Sequence, residues 1–252
     1  MFDLIKARFR HGYQAVKDIP GAKVNPKYRG FPVVDESRAG EELSSVIEQC
    51  PSRAIQQSPL RVDMGKCVFC GDCARRTAAL SFTNFHHTAS TSRDHLIIGA
   101  GMTPEAYKKD AIEACRSIRS LFGRSLKLRS VSAGGCNACE MELNACNNVN
   151  FDMGRYGIDM VASPRHADGL VITGPVSAAM ADALEDTYRA IPSPKIVIAM
   201  GSCAISGGIF AGSPAVDRSF FNSVSIDLYI PGCPPHPLTM VNGVIDYLGR
   251  RG

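Results

Sequence analysis

"DGLVITGPVSAAMADALEDTYRAIPSPKIVIAMG", residues 168–201, holds the fold in outline. "DGLVITG" reads as a short strand, "SAAMADALEDTYRAI" as a helix, and "PKIVIAMG" as a continuous apolar run. A run without polar alternation marks a strand buried on both faces, as in a parallel sheet covered by helices. The same rhythm extends outward. "KLRSVSA" (127–133) leads through a Gly turn into the helical "CEMELNACNNV" (139–149). "GIDMVAS" (157–163) and "SIDLYIPG" (225–232) are further strands, and "TMVNGVIDYLGR" (239–250) is a helix. Strands alternating with helices predict an α/β fold built on an open, mostly parallel sheet.

Upstream of residue 127 the text is polar and short of long apolar runs. "GFPVVDESRAG" (30–40) and "FTNFHHTASTSRDH" (82–95) suggest loop-rich structure around a small core. Residues 103–120 read as one helix. Thr103 caps it, Pro104 suits its first turn, and Tyr107, Ala111, Ala114 and Ile118 share a face. The spacing therefore predicts a small domain over 1–100, a helical connection over 101–126 and an α/β domain over 127–252.

The chain has 252 residues, 45% hydrophobic and 21% charged, which is ordinary for a soluble globular protein. A net charge of +4 is too mild for a nucleic-acid binder, which calls for a clustered basic face. No run has the length of a transmembrane helix. The start, "MFDLIKARFRHGYQ", lacks an apolar signal core, so the protein reads as intracellular. In a reducing compartment its ten cysteines point to metal ligands or redox thiols rather than disulfides.

Four of them, Cys136, Cys139, Cys203 and Cys233, fall just past the carboxyl ends of predicted strands, where open α/β sheets place their ligands. Gly or Pro near each allows close approach and rigid turns around a bulky group. Four thiolates from three loops suit a 4Fe–4S cluster. Zinc takes the same donors, although structural zinc sites more often pair two Cys-x2-Cys knuckles. A thioredoxin-like redox pair would leave Cys203 and Cys233 unexplained.

"GGCNACEMEL" (134–143), "YGIDMVASPRHADGLVITGPVS" (156–177), "GSCAISGGIF" (201–210) and "DLYIPGCPPHP" (227–237) together resemble a known signature. It is that of the small subunit shared by group 4 nickel–iron hydrogenases and the 20 kDa subunit of respiratory complex I. The resemblance covers about half the chain, in order. It implies a flavodoxin-like fold and a 4Fe–4S cluster held by Cys136, Cys139, Cys203 and Cys233, lying against a hydrogenase-type large subunit that carries the catalytic centre. Complex I subunits have adjacent cysteines at the first position. The gap between Cys136 and Cys139, with "SPRHAD", resembles the formate-hydrogenlyase type instead.

"EQCPSRAI" (48–55) and "DMGKCVFCGDCARRTAALSF" (63–82) resemble pieces of a two-cluster bacterial ferredoxin. By its ligation rule Cys50, ahead of Pro51, joins Cys67, Cys70 and Cys73 on one cluster. The second cluster would need cysteines at Gly40, Leu43, Val46 and Thr77, and all four are absent together. The resemblance thus implies a small ferredoxin-like α+β domain that has kept one 4Fe–4S cluster. A zinc knuckle is the alternative for this set.

Cys115, in the connecting helix, and Cys146, two turns after Cys139, read as buried packing cysteines. Glu140 is a charged first-turn residue, solvated or dipole-paired, or else a proton-handling group facing the partner. Arg165 and His166 are expected after a strand on the cluster side, as a structural hydrogen bond or as tuning groups. His86, His87 and His236 read as surface or loop histidines. Phe2, Ile5 and Phe9 line one face of a basic N-terminal helix. It would lie on a membrane subunit, on lipid head groups, or on its own domain.

The expectation is an electron-transfer subunit with two 4Fe–4S clusters and no catalytic residue of its own. It would sit peripherally on the cytoplasmic side of the cell membrane, beside a large subunit and further iron–sulfur and membrane-arm subunits. The alternatives are a complex I-like subunit feeding quinone, a related complex lacking nickel, and a zinc-stabilised scaffold.

Overall fold

The computed structural model describes residues 2–113 and 116–250. In the first half these are α1 (Phe2–His11), β1 (Pro32–Val34), α2 (Glu42–Glu48), β2 (Ile55–Gln56), β3 (Arg61–Asp63), α3 (Asp72–Arg76), β4 (Leu80–Phe82) and β5 (Ile97–Gly99). The short helices α4 (Pro104–Asp110) and α5 (Arg116–Phe122) follow. The second half holds β6 (Leu126–Ser132), α6 (Ala138–Ala145), β7 (Ile158–Met160), β8 (Gly169–Thr173) and α7 (Ala178–Ala190). It continues with β9 (Ile196–Met200), α8 (Ser202–Ser206), α9 (Phe220–Ser223), β10 (Leu228–Ile230) and α10 (Pro237–Tyr247).

The second half is the fold expected. Its five strands pair in parallel in the order β10-β9-β8-β6-β7. Numbered within the sheet this is 2-1-3-4-5, the flavodoxin-like order. Every residue of β8 and β9 is buried. Alternate residues face two apolar layers: Leu170, Ile172, Val197 and Ala199 meet Leu184 of α7, while Val171, Ile196 and Ile198 meet Leu238, Val241 and Val244 of α10. A strand with helices on both faces has no polar side, which is why "KIVIAM" carries no alternation.

The first half is an α+β arrangement of two small antiparallel sheets, β1-β4 and β2-β3-β5. Its apolar residues, Phe31, Leu43, Val46, Ile98 and Tyr107 among them, are continuous with the α7 layer of the second half. Ser90 and Tyr229 exchange both main-chain hydrogen bonds, so the first half also covers the β10 edge of the sheet. An edge paired in this way is closed to a further strand.

The connection differs from the single helix expected over 103–120. Thr103 caps α4 by accepting from the Ala106 N–H, but that helix ends at Asp110. The Thr91 N–H takes the Ala111 carbonyl, and Thr91 Oγ1 accepts from the Glu113 N–H. These bonds divert groups that a continuous helix would use. Ala114 and Cys115 lie outside the described residues. None of the α1 residues is buried; Phe2 and Phe9 are 80% and 83% exposed, so this helix does not pack on its own domain.

Candidate metal centres

Cys50, Cys67, Cys70 and Cys73 line one cavity with Val46, Ile55, Val62 and Phe82. Cys50 follows α2, and the other three come from the loop between β3 and α3 and from the start of α3. Buried Asp63 organises that loop. Its carboxylate accepts from the Gly65 N–H at 2.9 Å and pairs with Arg93 Nη2 at 2.7 Å, and its carbonyl accepts from the Cys67 N–H. Phe69 and Gly71 then take left-handed conformations, with φ of 52° and 73°, which curl the chain around the sulfurs. The Phe69 N–H donates to Cys67 Sγ at 3.3 Å and the Ala54 N–H to Cys50 Sγ at 3.4 Å.

The second set comes from the carboxyl ends of three strands. Cys136 and Cys139 follow β6, Cys203 lies in α8 directly after β9, and Cys233 follows β10. Glycine makes room for sulfur here. A Cβ on Gly201, whose φ is 93°, would stand 2.6 Å from Cys139 Sγ, and one on Gly208 would stand 3.0 Å from Cys203 Sγ. Cys136 and Cys233 are exposed, with exposed Met141, Ile209 and Phe210 on neighbouring segments.

In both sets the more buried thiols resist ionisation. Burial, reinforced by repulsion from the other cysteines, pushes Cys67 up to about 12 and Cys73 up to about 11. Burial also pushes Cys139 up to about 12, with Glu140 and the other three cysteines adding to it, and Cys203 up to about 11. A thiol buried in this way becomes a thiolate when a cationic centre offsets the cost of its burial and of its charged neighbours. Among the described residues no group of three His, Cys, Asp or Glu side chains is arranged to hold a single ion. Tetrahedral zinc needs sulfurs roughly 3.8 Å apart, from a Zn–S bond of about 2.3 Å. Four cysteines are the donor set of a 4Fe–4S cluster and equally that of tetrahedral zinc.

Glu140 lies half-buried and accepts hydrogen bonds from Ser132 Oγ at 2.5 Å and Thr173 Oγ1 at 2.6 Å. Burial alone would raise its pKa, but these two donors outweigh it and hold the carboxyl below its ordinary range. Arg165 and His166 are exposed on a turn between β7 and β8. After that turn the Asp168 N–H donates to the Lys127 carbonyl, at the amino end of the sheet, away from the strand ends that carry the cysteines. Cys146 is fully buried, its Sγ donating to the Glu142 carbonyl at 3.3 Å. His86 is buried rather than superficial, because Thr239 and Asn242 of α10 give its polar groups partners.

Three further residues make contacts that their side-chain types do not announce. Arg218 donates to the carbonyls of Cys203, Ala204 and Ile205, fixing the α8 turn that carries Cys203. Arg93 supports Asp63 against Gly65 and Ile205. Ser202 Oγ donates to the Cys67 carbonyl at 2.5 Å, from one cysteine set to the other.

Residues 136–247 match the family described as NADH ubiquinone oxidoreductase, 20 Kd subunit. A probable membrane-bound hydrogenase subunit of Pyrococcus furiosus is 35% identical over 144 residues, covering 57% of this chain and 86% of that protein. The chain belongs to the 20 Kd subunit family. An NADH-quinone oxidoreductase subunit of Heliobacterium modesticaldum is 36% identical over 149 residues, covering 59% of this chain and 85% of that protein. Formate hydrogenlyase subunit 7 of Escherichia coli is 44% identical over 133 residues, 53% of this chain and 52% of that protein. All eight proposed ligands lie in the described part of the chain, but only the later four fall inside the family match.

Proposed function

We propose that this chain is the iron–sulfur electron-transfer subunit of a membrane-associated group 4 nickel–iron hydrogenase complex. The observation that carries the reading is the pair of four-cysteine sets joined by a direct hydrogen bond from Ser202 to Cys67. Cys50, Cys67, Cys70 and Cys73 would hold one 4Fe–4S cluster, and Cys136, Cys139, Cys203 and Cys233 the other. When bound, each cluster supplies a one-electron couple. The chain's own residues position the thiolates, donate N–H bonds to Cys50 and Cys67 sulfur, and set fixed charges, Glu140 and Arg218, beside the second set.

The first half is read as a ferredoxin-like domain with one cluster. At the positions where a second cluster would need cysteines, Leu43 and Val46 are buried in the core, and Thr77 Oγ1 donates to Glu42. The catalytic centre belongs to a large subunit docked over Cys136, Cys233, Ile209 and Phe210. No helix among the described residues is long and apolar enough to cross a membrane. Attachment would be peripheral, on the cytoplasmic side, through membrane-arm and further iron–sulfur subunits, and α1 offers an exposed apolar, basic face for it.

The separation of Cys136 from Cys139 favours hydrogenase over a quinone-reducing or nickel-less complex. Purified anaerobically, the protein should contain iron and acid-labile sulfide for two clusters, with two reduced-state EPR signals. Cys203→Ser should abolish or alter one signal and leave the other. Zinc without sulfide would end this reading, and a co-purifying large subunit without nickel would end its hydrogenase branch.

A further inference from the structure

We propose that the Ser202 hydroxyl is the electron route between the two cysteine sets, an inference that rests on both sets holding clusters. Ser202 is 1% exposed. Its Oγ stands 2.5 Å from the Cys67 carbonyl oxygen and 3.1 Å from that of Gly232. A hydroxyl has one proton, and the shorter contact takes it. Cys203 is the next residue in the chain, and Gly232 precedes Cys233. One buried hydroxyl therefore bonds to the main chain of a ligand in the first set while lying one residue from a ligand in the second.

The competing route is a direct jump near Cys70 and Cys233, which are close enough for the charge of Cys70 to act on Cys233. Electron tunnelling decays more steeply across a gap than along covalent bonds and a short hydrogen bond. The Ser202 route runs from Cys67 through its carbonyl, across one bond, and along two adjacent residues to Cys203. The transfer is balanced as a single electron: the first set loses it, the second gains it, no bond forms or breaks, and the Ser202 proton stays on Oγ. The turn is also held without the hydroxyl, because the Ser202 N–H donates to the Gly232 carbonyl at 2.9 Å and Arg218 grips α8. The side chain is thereby freed to act as a bridge as well as a pin.

The test uses the whole chain with its iron and sulfide loaded. Ser202→Ala should keep both EPR signals and both potentials. It should also weaken the spin–spin interaction of the fully reduced protein and slow intramolecular electron exchange several-fold, followed by rapid-freeze EPR after photoreduction. Ser202→Thr, which keeps the hydroxyl, should restore both. Should the alanine variant fail to fold, Ser202→Gly removes the same group with less bulk and is read in the same way. Unchanged exchange with both signals present overturns the route, and so does a threonine variant as slow as alanine. A single cluster in the unmodified protein overturns the two-cluster reading itself, which separates that failure from this one.

Discussion

The two cysteine sets are built on opposite plans. In the first, three cysteines come from one short stretch and are placed by local devices: the Asp63 carboxylate, two left-handed residues and N–H bonds onto sulfur. In the second, cysteines from three strand ends meet only because the parallel sheet brings them together. The first set is lined mostly by apolar side chains, whereas the second has exposed Ile209 and Phe210 on a segment beside Cys203 and the charges of Glu140 and Arg218 acting on Cys139 and Cys203. The difference is between cysteines grouped by their own loop and cysteines assembled by the sheet.

The largest effects should come from breaking each plan at its own weak point. Gly201→Ala forces a left-handed backbone that costs a non-glycine residue about 1–3 kcal/mol, and drives a methyl toward Cys139 Sγ. It should empty the second set of iron while the first keeps its EPR signal. The mirror change is Asp63→Ala, which strips Arg93 of its partner and the Gly65 N–H of its acceptor. Breaking a buried pair costs roughly 3–5 kcal/mol, and because Arg93 reaches solvent the low end applies. Iron should then leave the first set, with a matching drop in the urea midpoint. If either variant loses both sets together, the plans are not independent.

How much of this could be read beforehand follows the same division. The sheet was legible because β8 and β9, buried on both faces, leave an unbroken apolar text. The grouping of Cys67, Cys70 and Cys73 was legible because they are neighbours in sequence. The second set became legible once the strands were placed, since Cys203 and Cys233 mean little as isolated letters. What stayed hidden depends on long-range partners. Thr91 ends α4 from twenty residues away in the chain, and α10 makes a buried site of the polar "FHHT". Ser202 and Arg218 act on main-chain carbonyls, which no side-chain motif encodes.

An acid titration tests whether the halves hold together as one unit. His86, in the first half, is packed under α10, whose Thr239 donates to its carbonyl. Burial first, then the charges of His87, His236 and Lys108, push its pKa down to about 3. An unfolded histidine titrates near 6.5. Between those values the unfolded chain holds a proton that the folded chain refuses. Stability is therefore full above about pH 6.5 and falls with acid, by at most about 1.4 kcal/mol per pH unit. His86→Gln should flatten urea midpoints measured between pH 7 and 5. In the unmodified protein, chelator-accessible iron should rise at one urea concentration for both sets if α10 clamps them together.

The finest distinction between the sets is electrostatic, and Glu140→Gln isolates it. The amide keeps the shape and still accepts from Ser132 and Thr173, so the stability change should stay within about 1 kcal/mol. What it removes is a carboxylate beside Cys139, one of the charges that already raise that thiol's pKa. A negative charge near a redox centre opposes electron uptake. Its loss should therefore raise the midpoint potential of the second set and leave that of the first unchanged, as read by potentiometric EPR titration. Equal shifts in both would mean that Glu140 acts across the Ser202 junction and that the sets share one electrostatic environment. A shift confined to the second set would make Glu140 a local control on that set alone.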